Sequence, residues 1–373
     1  MPSFVFHAPC PFGLEELLSR EILALNADPD LVRPGKGGVS FAGGLDLGMA
    51  VCLHSRYATR VLLRVAFDEY WDSRDVYSIA RRTPWEKWFG PDVTFRIHST
   101  ANRCPLESLD FATLRIKDGL CDRFNELAGR RPSVDRRRPD VRLEAYFTFD
   151  HVSFYIDLAG ESLFKRGWRL EHGEAPLKEN LAAALLALSG WTPEKPLVDP
   201  FCGSGTICIE AALIALNRAP GLHRSFAAEK WSCVPAEVWR QARTEAMDRE
   251  FRGDYHILGS DIDPASLDIA RENARKAGVA KLIEFRKADA TKMSLPTDKG
   301  LIVCNPPYGE RMLEQRSAQR LYQAFGRHIK YADGWKKYII SSEPEFEHYF
   351  GKQAAKKRKL YNGRLQCNVY MYF

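Results

Sequence analysis

From Leu197 onward, short apolar stretches ending in turns alternate with longer amphipathic ones. Leu197–Asp199, His256–Asp261, Ile283–Lys287, Leu301–Cys304 and Lys337–Ser341 read as strands. Thr206–Leu216, Ser266–Ala277 and Arg320–Ile329 read as helices between them, and Ala175-Pro176 opens a mostly apolar helix over Leu177–Ser189. Strands joined through helices need crossover connections, so they run parallel in a sheet covered on both faces. The end of the chain breaks this pattern. Leu360-Tyr361-Asn362-Gly363-Arg364-Leu365 is a hairpin with an Asn-Gly turn, closing on a strand at Cys367–Tyr372. An α/β doubly wound, mostly parallel sheet with a terminal antiparallel pair is therefore predicted.

The first half has a different texture. Ser3–Ala8, Val39–Phe41 and Arg60–Phe67 read as strands, and Leu14–Leu25 and Asp46–His54 as helices, an order that suggests a small ferredoxin-like unit. Next come helices over Ser73–Arg81 and Leu106–Leu127 and a strand over Thr94–Ser99. A hairpin of Val141–Phe149 and Val152–Leu158 follows, turning at Asp150-His151. A length of 373 residues accommodates two to three domains of this kind.

Chemistry concentrates at the carboxyl ends of the later strands, where open α/β sheets bind ligands. Asp199-Pro200-Phe201-Cys202-Gly203-Ser204-Gly205-Thr206 passes from strand to helix, and its glycines allow close approach of backbone to a ligand. Cys208 stands where a dinucleotide fingerprint has a third glycine, and no Gly-Lys-Ser/Thr follows, so neither an NAD site nor a Walker loop is indicated. By itself, the turn is equally compatible with a purely structural role. The next strand ends in Gly259-Ser260-Asp261-Ile262-Asp263, where Asp261 is placed to accept both hydroxyls of a ribose. Asp263, before Pro264, is expected to cap the following helix. Asp289, at a third strand end, can read an exocyclic amine of a base. Three such strand ends in order point to a nucleoside site.

The fourth strand ends in Asn305-Pro306-Pro307-Tyr308. This pattern suits an exocyclic amine on an aromatic base, a poor nucleophile because its lone pair is delocalised into the ring. The Asn305 side-chain carbonyl and the Pro306 backbone carbonyl can both accept from such an amine. Prolines stiffen the loop and remove competing donors, and Tyr308 offers a face on which an extruded base can stack.

Composition excludes other classes. No stretch of about 18 apolar residues exists, so no span of a membrane is expected. A basic leader followed by an apolar run is absent at the N-terminus, and the nine cysteines form no Cys-x-x-Cys pair. The expectation is a cytoplasmic protein without disulfides. No ligand cluster among the nine histidines implies a metal. The net charge is +6, and the basic excess lies beyond Leu158. Arg130-Arg131 with Arg136-Arg137-Arg138 is a sharper local cluster, compatible with a polyanion or with a solvated face.

Residues 175–373 resemble class I S-adenosylmethionine-dependent methyltransferases of the N-P-P-Y group. The resemblance rests on Ala175–Leu185 (APLKENLAAAL), Asp199–Thr206 (DPFCGSGT), Arg218–Leu222 (RAPGL), Gly259–Asp263 (GSDID) and Asn305–Arg311 (NPPYGER), in that order. Within the group, the words are most similar to ribosomal RNA guanine-N2 methyltransferases that form the N-terminal half of a fused enzyme. Lys117-Asp118, Arg131-Pro132-Ser133-Val134-Asp135 and Pro139-Asp140-Val141 resemble a THUMP domain, an RNA-binding module. The resemblance implies a ferredoxin-like domain at 1–64, a THUMP domain at 65–159, and a linker with the helix start at 160–180. It implies a Rossmann-like methyltransferase domain at 181–373, with a seven-stranded sheet.

It further implies S-adenosylmethionine as cofactor, held by Asp199, Cys202, Gly203, Gly205, Asp261 and Asp289, and a target base met by Asn305, Pro306 and Tyr308. RNA, as large-subunit ribosomal RNA or an assembling particle, is the implied partner, with Arg130, Arg131, Arg136, Arg137 and Arg138 as its expected contacts. The sequence ends at Phe373 without the second half of the fused enzymes, so only the first half's activity is implied. Guanine-N2 methylation of tRNA, adenine-N6 methylation of DNA and a non-catalytic ribosome-assembly factor are the alternatives.

Overall fold

The structure is a computed structural model that describes residues 3–169, 177–231, 233–308, 312–363 and 365–373. Pro176, expected to open a helix, Gly309–Arg311 and Arg364 lie outside the described residues. In the first half the elements are β1 (Phe4–Pro9), α1 (Glu15–Ala24), β2 (Arg33–Gly35), β3 (Gly38–Gly43), α2 (Leu45–His54), β4 (Leu62–Glu69), α3 (Ser73–Arg82), β5 (Thr94–Ala101), α4 (Leu109–Ala128), β6 (Ser133–Val134), β7 (Val141–Phe147) and β8 (His151–Asp157). The second half adds α5 (Glu179–Ser189), β9 (Leu197–Asp199), α6 (Thr206–Ala215), α7 (Ala236–Asp248), β10 (Ile257–Asp261), α8 (Pro264–Lys276), β11 (Ile283–Lys287), β12 (Gly300–Cys304), α9 (Met312–Ile329), β13 (Trp335–Ser341), α10 (Phe346–Phe350), β14 (Lys356–Asn362) and β15 (Leu365–Tyr372).

Where bounds differ from the sequence expectation, capping explains most of it. Ser108 accepts from the Phe111 N–H at 3.2 Å, so α4 begins after it and not at Leu106. Asp263 caps α8 through the Ala265 and Ser266 N–H groups, and Pro264 takes the first helical position. Helix α9 begins at Met312, well before Arg320, because Glu314, Gln315, Arg316 and Ser317 are polar and exposed and interrupt any apolar period. Helix α7 is rich in charge and α10 has only five residues; neither is evident from periodicity.

The chain forms two compact units. The first comprises residues up to Cys10, Ser19–Leu163 and Ser225–Thr244. Its eight strands make one sheet in the order β2-β3-β1-β4-β8-β7-β5-β6. Strand β4 pairs with β1 on one side and β8 on the other, so the expected division at 64/65 falls inside a strand. On one face Phe154 stacks on Trp85 at 5.9 Å and Phe147 meets Tyr70 at 5.5 Å. Segment Ser225–Thr244 is far along the chain yet belongs to this unit. Its Ala228 N–H donates to Leu158 O at 3.1 Å, and its buried Trp231 meets Trp88 at 5.7 Å.

The second unit holds a seven-stranded sheet in the order β11-β10-β9-β12-β13-β15-β14. The first five are parallel, and β15 runs antiparallel between β13 and β14, as expected for the terminal hairpin. Val198, Ile302 and Ile339 face a core shared with Tyr322 and Phe325 of α9. Their neighbours Leu197 and Leu301 are buried with the opposite facing, the side on which α5 and α6 pack.

In the first unit, Arg60 donates to the carboxylate of buried Asp157 and, at 2.7 Å, to Gly160 O. Burial nevertheless pushes the Asp157 carboxyl up to about 6, against the opposing pull of Arg60. A carboxyl held above its unfolded value binds more protons when folded, so its contribution to stability falls as pH rises through that window. Arg60→Ala should therefore cost roughly 3–5 kcal/mol at alkaline pH and clearly less near pH 5, where Asp157 takes up a proton. Urea unfolding at the two pH values measures the difference.

Candidate active site at the strand ends

Strand order in the second unit reverses at β9, which lies between β10 and β12. Connections leave these strands in opposite directions there, and a crevice opens beyond their carboxyl ends. It holds a cavity of about 500 Å³. Asp199, Cys202, Gly203, Asp261, Asp289 and Asn305 all line it. Gly205, Pro306 and Tyr308 do not line that cavity but adjoin residues that do.

The glycine turn is fixed from several sides. Cys202 N–H donates to Ser260 O at 2.9 Å, and buried Asn273 donates to Ser204 O at 3.0 Å. Gly203 N–H donates to Asp261 Oδ2 at 2.9 Å, which ties the first strand end to the second. Both glycines have positive φ, +49° at Gly203 and +83° at Gly205, which favours glycine. Their surroundings differ. A Cβ at Gly205 would lie 3.1 Å from Ala270 Cβ, so this glycine serves the packing of α6 against α8; a Cβ at Gly203 would meet open space.

Asp261 also accepts from the Asp263 N–H at 3.0 Å through Oδ1, so its carboxylate is clamped in plane at the rim. Asp289 accepts from the Thr291 hydroxyl at 2.7 Å and N–H at 2.9 Å, which hold its carboxyl below the usual range. Asp199 is different. Its carboxyl is buried, accepts from the Phe201 N–H at 3.1 Å and has no cationic partner among the described residues. Burial, with Asp261 nearby, pushes it up to about 8. Burial likewise pushes the Cys202 thiol up, which makes it a wall and not a nucleophile.

At the fourth strand end, Tyr308 donates its hydroxyl to Asn305 Oδ1. Tyr322 of α9, fully buried, donates to Pro307 O at 2.6 Å and pins the loop from below. Pro306 is buried and Pro307 exposed. The apolar wall comes from residues that the sequence motifs do not single out: Ile262, 66% exposed, together with Ile269, Ala288 and Ala290. Nothing in their residue types signals this role before the fold places them. Arg169 was also missed. It donates to Glu179 at 2.7 Å, Leu177 O at 3.0 Å and the Thr206 hydroxyl at 2.9 Å, and so shapes two lining residues. The arrangement offers carboxylates for hydroxyls and a cation, an apolar slot for a base, and an amide carbonyl where a second planar group can approach.

The five arginines of the first unit do not act together. Arg130 pairs with Asp92 and Arg131 with Asp122, both at 2.6 Å. Arg136 is exposed, while Arg137 and Arg138 line a cavity of about 300 Å³ with Arg142 and Lys230. Among the described residues no group of three or more His, Cys, Asp or Glu is placed to hold a metal. No described helix is long and apolar enough to cross a membrane.

Three family models match the chain. Residues 166–371 match the RMKL-like methyltransferase domain, residues 5–62 the RlmL ferredoxin-like domain and residues 71–157 the THUMP domain. A ribosomal RNA large subunit methyltransferase K/L of Aeromonas salmonicida is 38% identical over 98% of this chain and 54% of its own length. The chain thus spans about half the length of that relative. A Listeria monocytogenes protein, described as a predicted N6-adenine-specific DNA methylase, is 35% identical with a TM-score of 0.91 over 100% of this chain and 97% of that one. SMU.472, named as a methyltransferase and complexed with SAH, is 31% identical with a TM-score of 0.90 over 100% and 98%.

A carboxyl titrating near 8 inside the fold lowers stability as pH rises from its unfolded value near 4. Asp199→Asn keeps an acceptor for the Phe201 N–H and removes that titration. The variant should gain on the wild type progressively from pH 5 to pH 9. Thermal unfolding of both proteins across that range measures it, and a constant difference would mean that Asp199 does not titrate there.

Proposed function

Since a family model spanning more than half of it places the chain in the RMKL-like methyltransferase family, we propose that it transfers a methyl group from S-adenosylmethionine to the exocyclic N2 of guanosine in RNA, with large-subunit ribosomal RNA as substrate. The observation that carries this reading is the meeting of Asn305 with the Asp199, Asp261 and Asp289 carboxylates around one cavity.

The residues present fit the cofactor. Asp261, at the rim beside Gly203, would take the ribose hydroxyls; Ile262 and Ala290 would flank the adenine, and Asp289 would accept from its amine. A buried carboxyl without a cation, Asp199, suits a cationic ligand with an ammonium and a sulfonium. When bound, S-adenosylmethionine supplies an electrophilic methyl group on a neutral leaving sulfide. Asn305 Oδ1 and the Pro306 carbonyl would accept from the target amine, orient its lone pair and favour loss of its proton to solvent as the N–C bond forms. Most of the rate then comes from positioning. The Tyr308 hydroxyl holds the Asn305 carbonyl, so Tyr308 has a positioning task besides offering its ring.

The match of residues 71–157 to a THUMP domain and the name of the Aeromonas relative favour RNA over the DNA named for the Listeria relative. The full chain should be incubated with labelled S-adenosylmethionine and, in parallel, with large-subunit ribosomal RNA, tRNA and duplex DNA. Mass spectrometry of the nucleosides should find N2-methylguanosine in the ribosomal RNA. N6-methyladenosine, or label confined to DNA or tRNA, would overturn the substrate assignment; cofactor binding without transfer to any of them would favour a non-catalytic factor.

Asp261→Ala should weaken cofactor binding roughly ten- to a hundredfold, the worth of a charge-assisted hydrogen bond, in calorimetry. Asn305→Ala should cut the single-turnover rate strongly and leave cofactor affinity nearly intact. Tyr308→Phe should lower the rate with little effect on RNA affinity, because only the hold on Asn305 is lost. Tyr308→Ala should lose affinity as well. Equal rates for Tyr308→Phe and wild type would remove the hydroxyl from the mechanism.

A further inference from the structure

The sheet of the first unit has one face packed against its aromatic core and one face that is open over β4, β8, β7 and β5. Register fixes which side chains share the open face. Phe67 lies opposite Ser153, Ser153 opposite Tyr146, and Tyr146 opposite Thr100. One step along the strands, Arg64, Tyr155, Glu144 and His98 form a second row; the bulge after Arg64 brings Arg64 and Phe67 to the same side. Large aromatic rings on this face are left in solvent, with Phe67 54% and Tyr146 38% exposed. Phe67 stacks on His151 with centroids 4.8 Å apart and planes at 9°, and the Arg64 guanidinium lies 4.9 Å from the Phe67 centroid. Three flat groups thus stack together, and each is of a kind that stacks on nucleobases. The Phe67 stack and the Tyr146 ring sit two strands apart, roughly 10 Å, and both present exposed aromatic surface at a spacing that suits separate bases.

The same face becomes cationic along β7. Arg142 lies four residues from Tyr146, roughly 13 Å along the strand. It lines the cavity of about 300 Å³ with Arg137, Arg138 and Lys230. The carboxylates there are engaged: Glu161 pairs with Arg142 at 2.5 Å, and Asp140 accepts from the Thr94 N–H and hydroxyl at 2.9 and 2.8 Å. Glu144, on the open face, is paired with His98 at 2.7 Å. Arg137 and Arg138 enter no ion pair among the described residues. Lys230 comes from the segment Ser225–Thr244, so the sequence of the first half alone does not contain this site.

We propose that this open sheet face is a track for single-stranded RNA, with the stack around Phe67 and the Tyr146 ring meeting bases and the Arg137, Arg138 and Lys230 side chains of the cavity taking backbone phosphates, while Arg142 neutralises Glu161. It rests on the reading of the chain as an RNA methyltransferase and adds where, and in what form, the RNA is held. Charge complementarity selects the occupant. An acidic peptide would use the cations but has no need of a row of flat groups, and a duplex hides its bases from them.

The test uses the full chain and an oligouridine of about ten nucleotides, with a duplex RNA of equal length as control and S-adenosylmethionine affinity as a check on each variant's fold. Phe67→Ala and Tyr146→Ala should each weaken single-strand binding roughly 5- to 100-fold with an unchanged salt slope. Arg138→Ala and Lys230→Ala should each lower the slope of log affinity against log salt by about 0.7. Both side chains of each kind are exposed, so the fold should survive substitution. Wild-type affinity for the single strand with no loss in any of the four variants would overturn the track while leaving the methyltransferase reading in place. Preference for the duplex would overturn it too. A folded, cofactor-binding protein with no affinity for either RNA, or one that prefers an acidic peptide, would overturn the track and the RNA reading together.

Discussion

The candidate site exists because β9 is buried on both faces at the centre of a parallel sheet. A strand in that position has no room for a polar side chain along its body, so its first polar residue, Asp199, comes where the sheet stops. Strands β10 and β12 run beside it, with Gly259 opposite Asp199 and Ile302 opposite Val198, and end within two residues of its level. Their terminal residues, Asp199, Asp261 and Cys304, therefore gather as neighbours although they lie far apart in the chain. Reversal of strand order at β9 keeps a helix from closing the gap. The price of the arrangement is a carboxyl in an apolar setting, and the raised titration of Asp199 is its physical record.

Much of this was legible in the sequence, for a definite reason. Turns after strands carry residue types that nothing else explains: Gly203 and Gly205 with positive φ, Asp261 and Asp289 at strand ends, Asp263 before a proline. Each announces a backbone geometry, and geometry is local. The apolar wall was not legible, because Ile262, Ile269 and Ala290 are ordinary core-forming residues until the fold shows that they face a cavity. Arg169 was missed for a similar reason: its meaning lies in Glu179, Leu177 and Thr206, which are distant in sequence. Charge runs were the weakest guide. Arg130 and Arg131 read like Arg137 and Arg138, yet the first two are held by Asp92 and Asp122.

The loop at Asn305 shows how much rigidity a short motif can borrow. Prolines restrict its backbone, but they cannot orient the Asn305 side chain. That is done by Tyr308 from within the motif, while Tyr322 fixes the Pro307 carbonyl from α9. Burial raises the Tyr308 phenol well above its ordinary value, so it remains a donor at any physiological pH. A preorganised acceptor of this kind needs no reorganisation when an amine arrives.

The two units are interleaved along the chain. The first is incomplete without Ser225–Thr244, and the second includes Pro11–Leu18 near the start. During synthesis, the buried rings of Phe226, Trp231 and Trp239 reach the first unit only after a further 80 or so residues have been added. At about 5–20 residues per second that is a delay of roughly 4–16 s. Through that interval the first unit has a sheet but lacks part of its core, and Trp88 stands without Trp231. The first unit cannot close its core before Thr244 has been added, so nascent chains of this protein carry exposed aromatic surface through that interval, and their yield should depend on chaperones that shelter it.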